Sequence, residues 1–140
     1  LFSIILLFVG AIGDVDVCPG ESMRYGDAKC NHDSTHRVCA KLVDENTMDP
    51  LTWGSAGDFW MITGQKQWQW DQDIINEPNA GDSWCICMWA FANLISKVGC
   101  DNIHIRCPST DVSYVLDRYD DYGHDLTAAH ECLKNTCPAS

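Results

Sequence analysis

The chain has 140 residues, 46% of them hydrophobic and 21% charged, enough to bury a core and too apolar for a disordered tail. Its formal net charge of −11 repels phosphate backbones and anionic headgroups, and its nine Lys and Arg residues are scattered, so nucleic-acid binding is excluded as a role. There is no Asn-x-Ser/Thr sequon, and N-glycosylation is not expected.

The first ten residues are almost wholly apolar and uncharged. They are too few for a spanning helix, which takes roughly 20 apolar residues. Ala11 and Gly13 supply the small residues a signal peptidase accepts, so residues 1–13 are read as a signal peptide and residues 14–140 as one disulfide-rich domain, without stable membrane insertion after cleavage. All nine cysteines lie downstream of that segment, and at this density they predict a disulfide scaffold in an oxidising compartment. Four bridges leave one cysteine over, which is either buried or joins two chains in a homo-oligomer or disulfide-linked assembly.

Residues 14–34 are rich in Gly, Pro, Asp and Asn and read as an irregular, stapled arm. Residues 36–43 read as a strand, with Val38 and Ala40 facing one way and Cys39 the other. Asp49-Pro50 ends it. Residues 53–71 concentrate Trp53, Phe59, Trp60, Trp68 and Trp70, and residues 67–70 alternate polar and aromatic as in a half-buried strand. Residues 71–81 read as a loop. Asp82 or Ser83 is then placed to cap the clearest helix, in which Trp84, Met88, Phe91, Ile95 and Val98 recur at helical spacing and Gly99 is the stop. Ile103, Ile105 and Cys107 alternate with Asn102, His104 and Arg106 and predict a strand with one wet face. Thr110 opens a helix through Tyr119 with Val112, Val115, Leu116 and Tyr119 as its apolar stripe. Residues 120–123 form a turn, and Asp125 or Thr127 opens a short last helix with Cys132 near its end. Strands and helices interleave without a βαβ rhythm, so the expectation is α+β: one small domain, a short mixed or antiparallel sheet packed on about three helices, held by disulfides.

Two segments carry a resemblance. His36-Arg37-Val38-Cys39-Ala40 followed by Gly81-Asp82-Ser83-Trp84-Cys85-Ile86-Cys87 resembles a family of small domains of unknown function marked by His-x-Val-Cys-Ala and Gly-Asp-x-Trp-Cys-Leu-Cys segments. The resemblance covers roughly residues 24–126. It implies a shared fold and no particular reaction, since that family has no assigned activity. This chain departs from the pattern by its cysteines at 18, 100, 107, 132 and 137 and by the Trp-rich middle segment, as a secreted, cysteine-enriched variant would.

Two groups of residues carry chemistry. His36, Cys39, Cys85 and Cys87 offer the nitrogen and sulfur donors zinc favours, but secretion competes for the thiols, and disulfide bonding is the stronger expectation. A cysteine in the first turn of a helix would also gain thiolate character from the dipole, although Asp82 beside it works the other way and Cys-x-Cys lacks the oxidoreductase spacing. Trp53, Trp60, Trp68 and Trp70 are the candidate binding residues: exposed indoles stack on sugars, while buried ones only fill a core. No serine nucleophile, phosphate loop or haem motif is present. The expected role is therefore a secreted, non-enzymatic interaction or structural domain that contacts an extracellular glycan or protein subunit through residues 53–71 and needs no cofactor. The alternative is a metal-binding or thiol-dependent enzyme built on the His/Cys cluster, with zinc as its metal.

Overall fold

A computed structural model describes residues 14–21, 24–66 and 81–138. The proposed signal peptide, residues 1–13, and the predicted strand at residues 67–70 with Trp68 and Trp70 lie outside the described residues. The elements are β1 (His36–Lys41), α1 (Phe59–Thr63), β2 (Ser83–Cys87), α2 (Met88–Val98), α3 (Val112–Leu116), β3 (Asp120–Asp121), β4 (His124–Asp125) and α4 (Thr127–Thr136). They form two small antiparallel sheets, β1–β2 and β3–β4, packed with four helices. This is a small disulfide-rich α+β domain, as the sequence predicts. Among the described residues no helix is long and apolar enough to cross a membrane.

Strand alternation organises the middle of the molecule. In β1, Val38 and Ala40 join Ile86 and Trp84 of β2 in the main core with Phe91 and Leu94 of α2, Val115 of α3, and Leu126 and Leu133. Cys39 and Cys85 point to the opposite face, where they form a second buried cluster with Cys18, Tyr25 and Cys30 of the arm. The sheet is thus buried on both sides, once by helices and once by the arm. Ladder pairing sets Val38 against Ile86, Cys39 against Cys85 and Ala40 against Trp84, with an irregularity between His36 and Val38 that leaves His36 opposite Cys87.

The helix predicted from Trp84 begins four residues later, at Met88. Trp84 satisfies both periods: it is one turn before Met88, and it also alternates with Ser83 and Cys85. Pairing with β1 and the bridge to Cys30 decide in favour of the strand. The expected cap at Asp82 or Ser83 is therefore not made. Asp121, far along the chain, accepts from the Trp89 amide in the first turn of α2 at 3.0 Å. The stop at Gly99 holds, with φ of 86°.

Residues 103–107 do alternate, Ile103 and Ile105 being buried and His104 exposed, but they add only one bridge to the free edge of β1. The Lys41 amide donates to the His104 carbonyl and the Arg106 amide to the Cys39 carbonyl, both at 2.9 Å. A 3-10 turn at Cys107–Ser109 stops any longer pairing. The helix expected from Thr110 to Tyr119 is confined to α3, so Tyr119 leaves the apolar stripe and is 76% exposed. Asp125 accepts from the Thr127 amide at 2.7 Å where α4 opens. The arm crosses the entry to β2 where two glycines meet. A Cβ on Gly81 would lie 2.4 Å from the Pro19 carbonyl carbon, and one on Gly20 2.6 Å from the Ser83 carbonyl oxygen.

Four disulfides pin this arrangement: Cys18–Cys39, Cys30–Cys85, Cys100–Cys132 and Cys107–Cys137. The first two fasten the arm to β1 and β2. The other two tie the two 3-10 turns after α2 to α4. Cys87 is the unpaired ninth cysteine, and it is buried.

Candidate functional site

A cleft of about 340 Å³ opens between α1 and the ends of the β1–β2 ladder. That volume lies at the small end of the roughly 300–1,000 Å³ typical of small-molecule sites. Phe59 and Trp60 form one wall, meeting edge to face with ring centroids 5.5 Å apart. They are placed by a single helical turn, which Asp58 caps by accepting from the Met61 amide at 2.8 Å and which Gly64 ends in the left-handed region. Trp84, Ile86 and Cys87 of β2 and His36 of β1 line the other side.

Arg24 reaches the cleft from the arm. Its Nη2 donates to Glu21 Oε1 at 2.6 Å and to the Cys85 carbonyl at 2.9 Å, and its guanidinium lies over the rings of Tyr25 and Trp84 at 4.8 and 4.9 Å. The Glu21 side chain has no exposed surface, and it also accepts from the Cys85 amide at 2.9 Å. Glu21 therefore fixes Arg24 and the β2 backbone together, a charged pair in which each partner is hydrogen-bonded.

Asp33 plays a similar part for His36. It accepts from the backbone amides of Thr35 and His36, from the Tyr25 hydroxyl, and contacts His36 Nδ1 at 2.7 Å. Burial by itself would raise this carboxyl, but those donors override it and hold it well below the usual carboxylate range. An ionised Asp33 can only accept, so Nδ1 carries the proton and Nε2 is the ring's second polar atom. The same burial, joined by Asp33, pushes the Tyr25 hydroxyl up from its ordinary value. At Cys87, burial pushes the thiol up, so it stays protonated at neutral pH.

Of the binding residues read from the sequence, Trp60 lines the cleft and is 7% exposed. Trp53 is half-buried against the core, and its Nε1 donates to the Asn102 carbonyl at 2.9 Å. Those two indoles do not form an exposed flat pair. The four-donor metal set is corrected: Cys39 and Cys85 are consumed in disulfides, whose sulfurs have no thiolate to offer, and only His36 and Cys87 keep their donor atoms. The sulfurs of Cys18, Cys30 and Cys39 do lie within 4.8 Å of one another, but all three belong to the two bridges packed side by side.

In the sequence Arg24, Glu21 and Asp33 are ordinary charges in an irregular arm, and nothing in the local pattern marks them. Their importance comes from burial against β2, which no local pattern encodes. Helical spacing puts Trp84 in a helix core, and its actual place in a strand brings it to the cleft.

No family model, curated protein or solved structure matches this chain. The fold and cleft define a class: a small disulfide-rich α+β domain with an aromatic, partly basic cleft beside its central strand pair. Four disulfides and the absence of a spanning helix among the described residues fit a protein of an oxidising, extracellular setting.

Proposed function

We propose that this chain is a secreted, non-enzymatic binding domain that contacts its ligand through the cleft bordered by Trp60, Trp84, Arg24 and His36. One observation carries the reading: a concave site with three aromatic side chains and fixed polar groups, built on paired strands that two disulfides immobilise. The two segments that resemble the uncharacterised family are β1 and β2, and both border this cleft, which supports a role centred there. The concave shape and the burial of Trp60 favour a small ligand or a single inserted side chain over a flat glycan platform.

Thiol chemistry is the competing reading, because Cys87 faces His36 across the ladder and Asp33 orients that imidazole. It is disfavoured because burial raises the thiol, whereas a nucleophilic cysteine needs a lowered value.

The test is a titration of the nitrogen-15-labelled protein with a panel of small aromatic acids and their amides, following the indole N–H signals by NMR. Ligand binding in the cleft moves the Trp60 and Trp84 signals while Trp53 and Trp89, which do not line it, stay in place. Shifts at Trp53 or Trp89 alone, or none with any compound, would overturn the proposal.

A further inference from the structure

The chain has four tyrosines, and the structure divides them into two pairs. Tyr25 is 9% exposed, and its hydroxyl donates to Asp33. Tyr114 donates to the Ser34 carbonyl at 3.4 Å and carries the guanidinium groups of Arg37 and Arg118 on its ring, at 3.7 and 4.4 Å. Tyr119 and Tyr122 stand out instead, at 76% and 75% exposed. The Tyr119 ring still meets His130 edge-on, with centroids 5.3 Å apart. Tyr122 sits at the tip of the β3–β4 hairpin, and among the described residues its hydroxyl makes no hydrogen bond. It holds φ of 50°, so this position keeps a tyrosine against a backbone preference for Asn or Gly.

The surroundings of Tyr122 are acidic and open. Asp117, Asp120 and Asp125 are exposed within five residues of it, and the one arginine of the segment, Arg118, is turned onto Tyr114. Asp121 is buried and spent on Thr35 and Trp89. The nearest cysteines, Cys107 and Cys132, are ten or more positions away, so no bridge crowds the hairpin. Resting on the secreted part of the reading above, we propose that Tyr122 is a sulfation site, the acceptor for sulfate transfer during export. The co-reactant is an activated-sulfate donor, a mixed anhydride of phosphate and sulfate. The Tyr122 phenol oxygen attacks the sulfur, an aryl O–S bond forms, and the bond from sulfur to the bridging oxygen breaks. The phosphate leaves with that electron pair, and the phenol proton goes to a base of the transferase. Nothing is oxidised or reduced. Such a donor is polyanionic, so a transferase that binds it presents cations, and carboxylates around the acceptor are drawn to them. An exposed hydroxyl at a hairpin tip beside Asp117, Asp120 and Asp125 meets both demands.

The experiment directs the full chain through the secretory route of cultured animal cells with a standard leader and maps the secreted protein by mass spectrometry. The expected result is the added mass of one SO3 group on Tyr122, resistant to phosphatase and lost in mild acid. Tyr25 and Tyr114, whose hydroxyls are bonded within the fold, serve as internal controls and should stay unmodified. Tyr122→Phe keeps the ring and removes only the acceptor oxygen, so it should be secreted as well as the wild type and lose the added mass entirely. Asp117→Asn/Asp120→Asn removes two exposed carboxylates and should lower the modified fraction without lowering secretion. The wild-type map needs no variant, so the proposal stays testable if a variant does not fold. A secreted chain without the added mass, with the mass on another tyrosine, or with a mass that phosphatase removes overturns the sulfation site and leaves the secreted binding domain standing. A modified fraction unchanged by loss of both carboxylates overturns the charge-guided recognition of the site. A chain that is retained in the cell overturns the secreted reading and the sulfation site together.

Discussion

Cys39 and Cys85 are direct partners across the β1–β2 ladder, yet neither is bonded to the other. Cys39 reaches back to Cys18, and Cys85 to Cys30. The two bridges leave the same face of the sheet side by side and clamp the irregular arm over it. A segment with little regular structure of its own is thereby made a wall of the molecule, and Arg24, Glu21 and Asp33 come with it. The site depends on the disulfides for its shape, although none of their sulfurs acts in it.

The two clamps should differ in weight. The loops they close span 21 and 55 residues. Chain-entropy arguments put the loss at about 3 kcal/mol for Cys18→Ala/Cys39→Ala and about 4 kcal/mol for Cys30→Ala/Cys85→Ala. Urea unfolding of both double variants checks this. A loss well under half of those values would mean that packing alone holds the arm.

Asp121 is expected to be a costly acid to remove, because it joins two distant parts of the chain. It is 6% exposed and accepts from the Thr35 hydroxyl at 2.7 Å and from the Trp89 amide at 3.0 Å. Asp121→Ala strips α2 of its cap and removes the Thr35 hydroxyl's carboxylate acceptor, for a loss of about 2 kcal/mol. Substituting the nearby, exposed Asp120 should change little. Thermal melts of the two variants side by side decide it.

Acid should weaken the fold in a defined window. Asp33 is held low as described. At Asp82 burial acts upward, but hydrogen bonds from Arg106 and Ser83 and the charges of Arg106 and Lys41 bring the carboxyl below its ordinary value. Groups depressed in the folded state contribute stability that is fully present above the unfolded carboxylate pKa of about 4 and is lost as pH falls through their folded values. Stability to urea is therefore expected to decline as pH falls below about 4. Asp82→Asn should flatten that decline while lowering stability at neutral pH. A slope unchanged in the variant would contradict the assignment.

Tyr122 and Gly123 link β3 to β4 with φ of 50° and 82°, the two-residue turn that favours Asn-Gly. Tyrosine is a poor residue for the left-handed region, and its ring is 75% exposed. Tyr122→Asn should raise stability by about 1 kcal/mol, measured by urea unfolding. A loss instead would show that the Tyr122 ring contributes contacts that outweigh its backbone strain.

How much of this was legible in the sequence follows from the kind of interaction involved. The strand opening at His36, expected to run to residue 43 and ending at Lys41, the Gly99 stop and the scaffold of bridges are readable because alternation, backbone freedom and cysteine density are local signals. The segment from Trp84 to Cys87 looks helical in sequence because a four-residue spacing fits a helix, and only pairing with β1 tips it to a strand. The true cap of α2 was invisible for the same reason: Asp121 lies over thirty residues away in sequence. In the cleft, Trp60 and His36 were visible as residue types, whereas Arg24 and Glu21 matter through burial. The metal set failed because residue type alone cannot say which thiols are spent in bridges, even where disulfides are the stronger expectation.

The most direct test is mass spectrometry of the protein alkylated without reduction, first native and then in denaturant, with a peptide map of the linkages. The account predicts no label in the native state and one in denaturant, on Cys87, with Cys18–Cys39 and Cys30–Cys85 recovered intact. A label on Cys18, Cys30, Cys39 or Cys85, or a Cys39–Cys85 linkage, would mean that the arm is not clamped over the sheet and that the cleft described above does not exist.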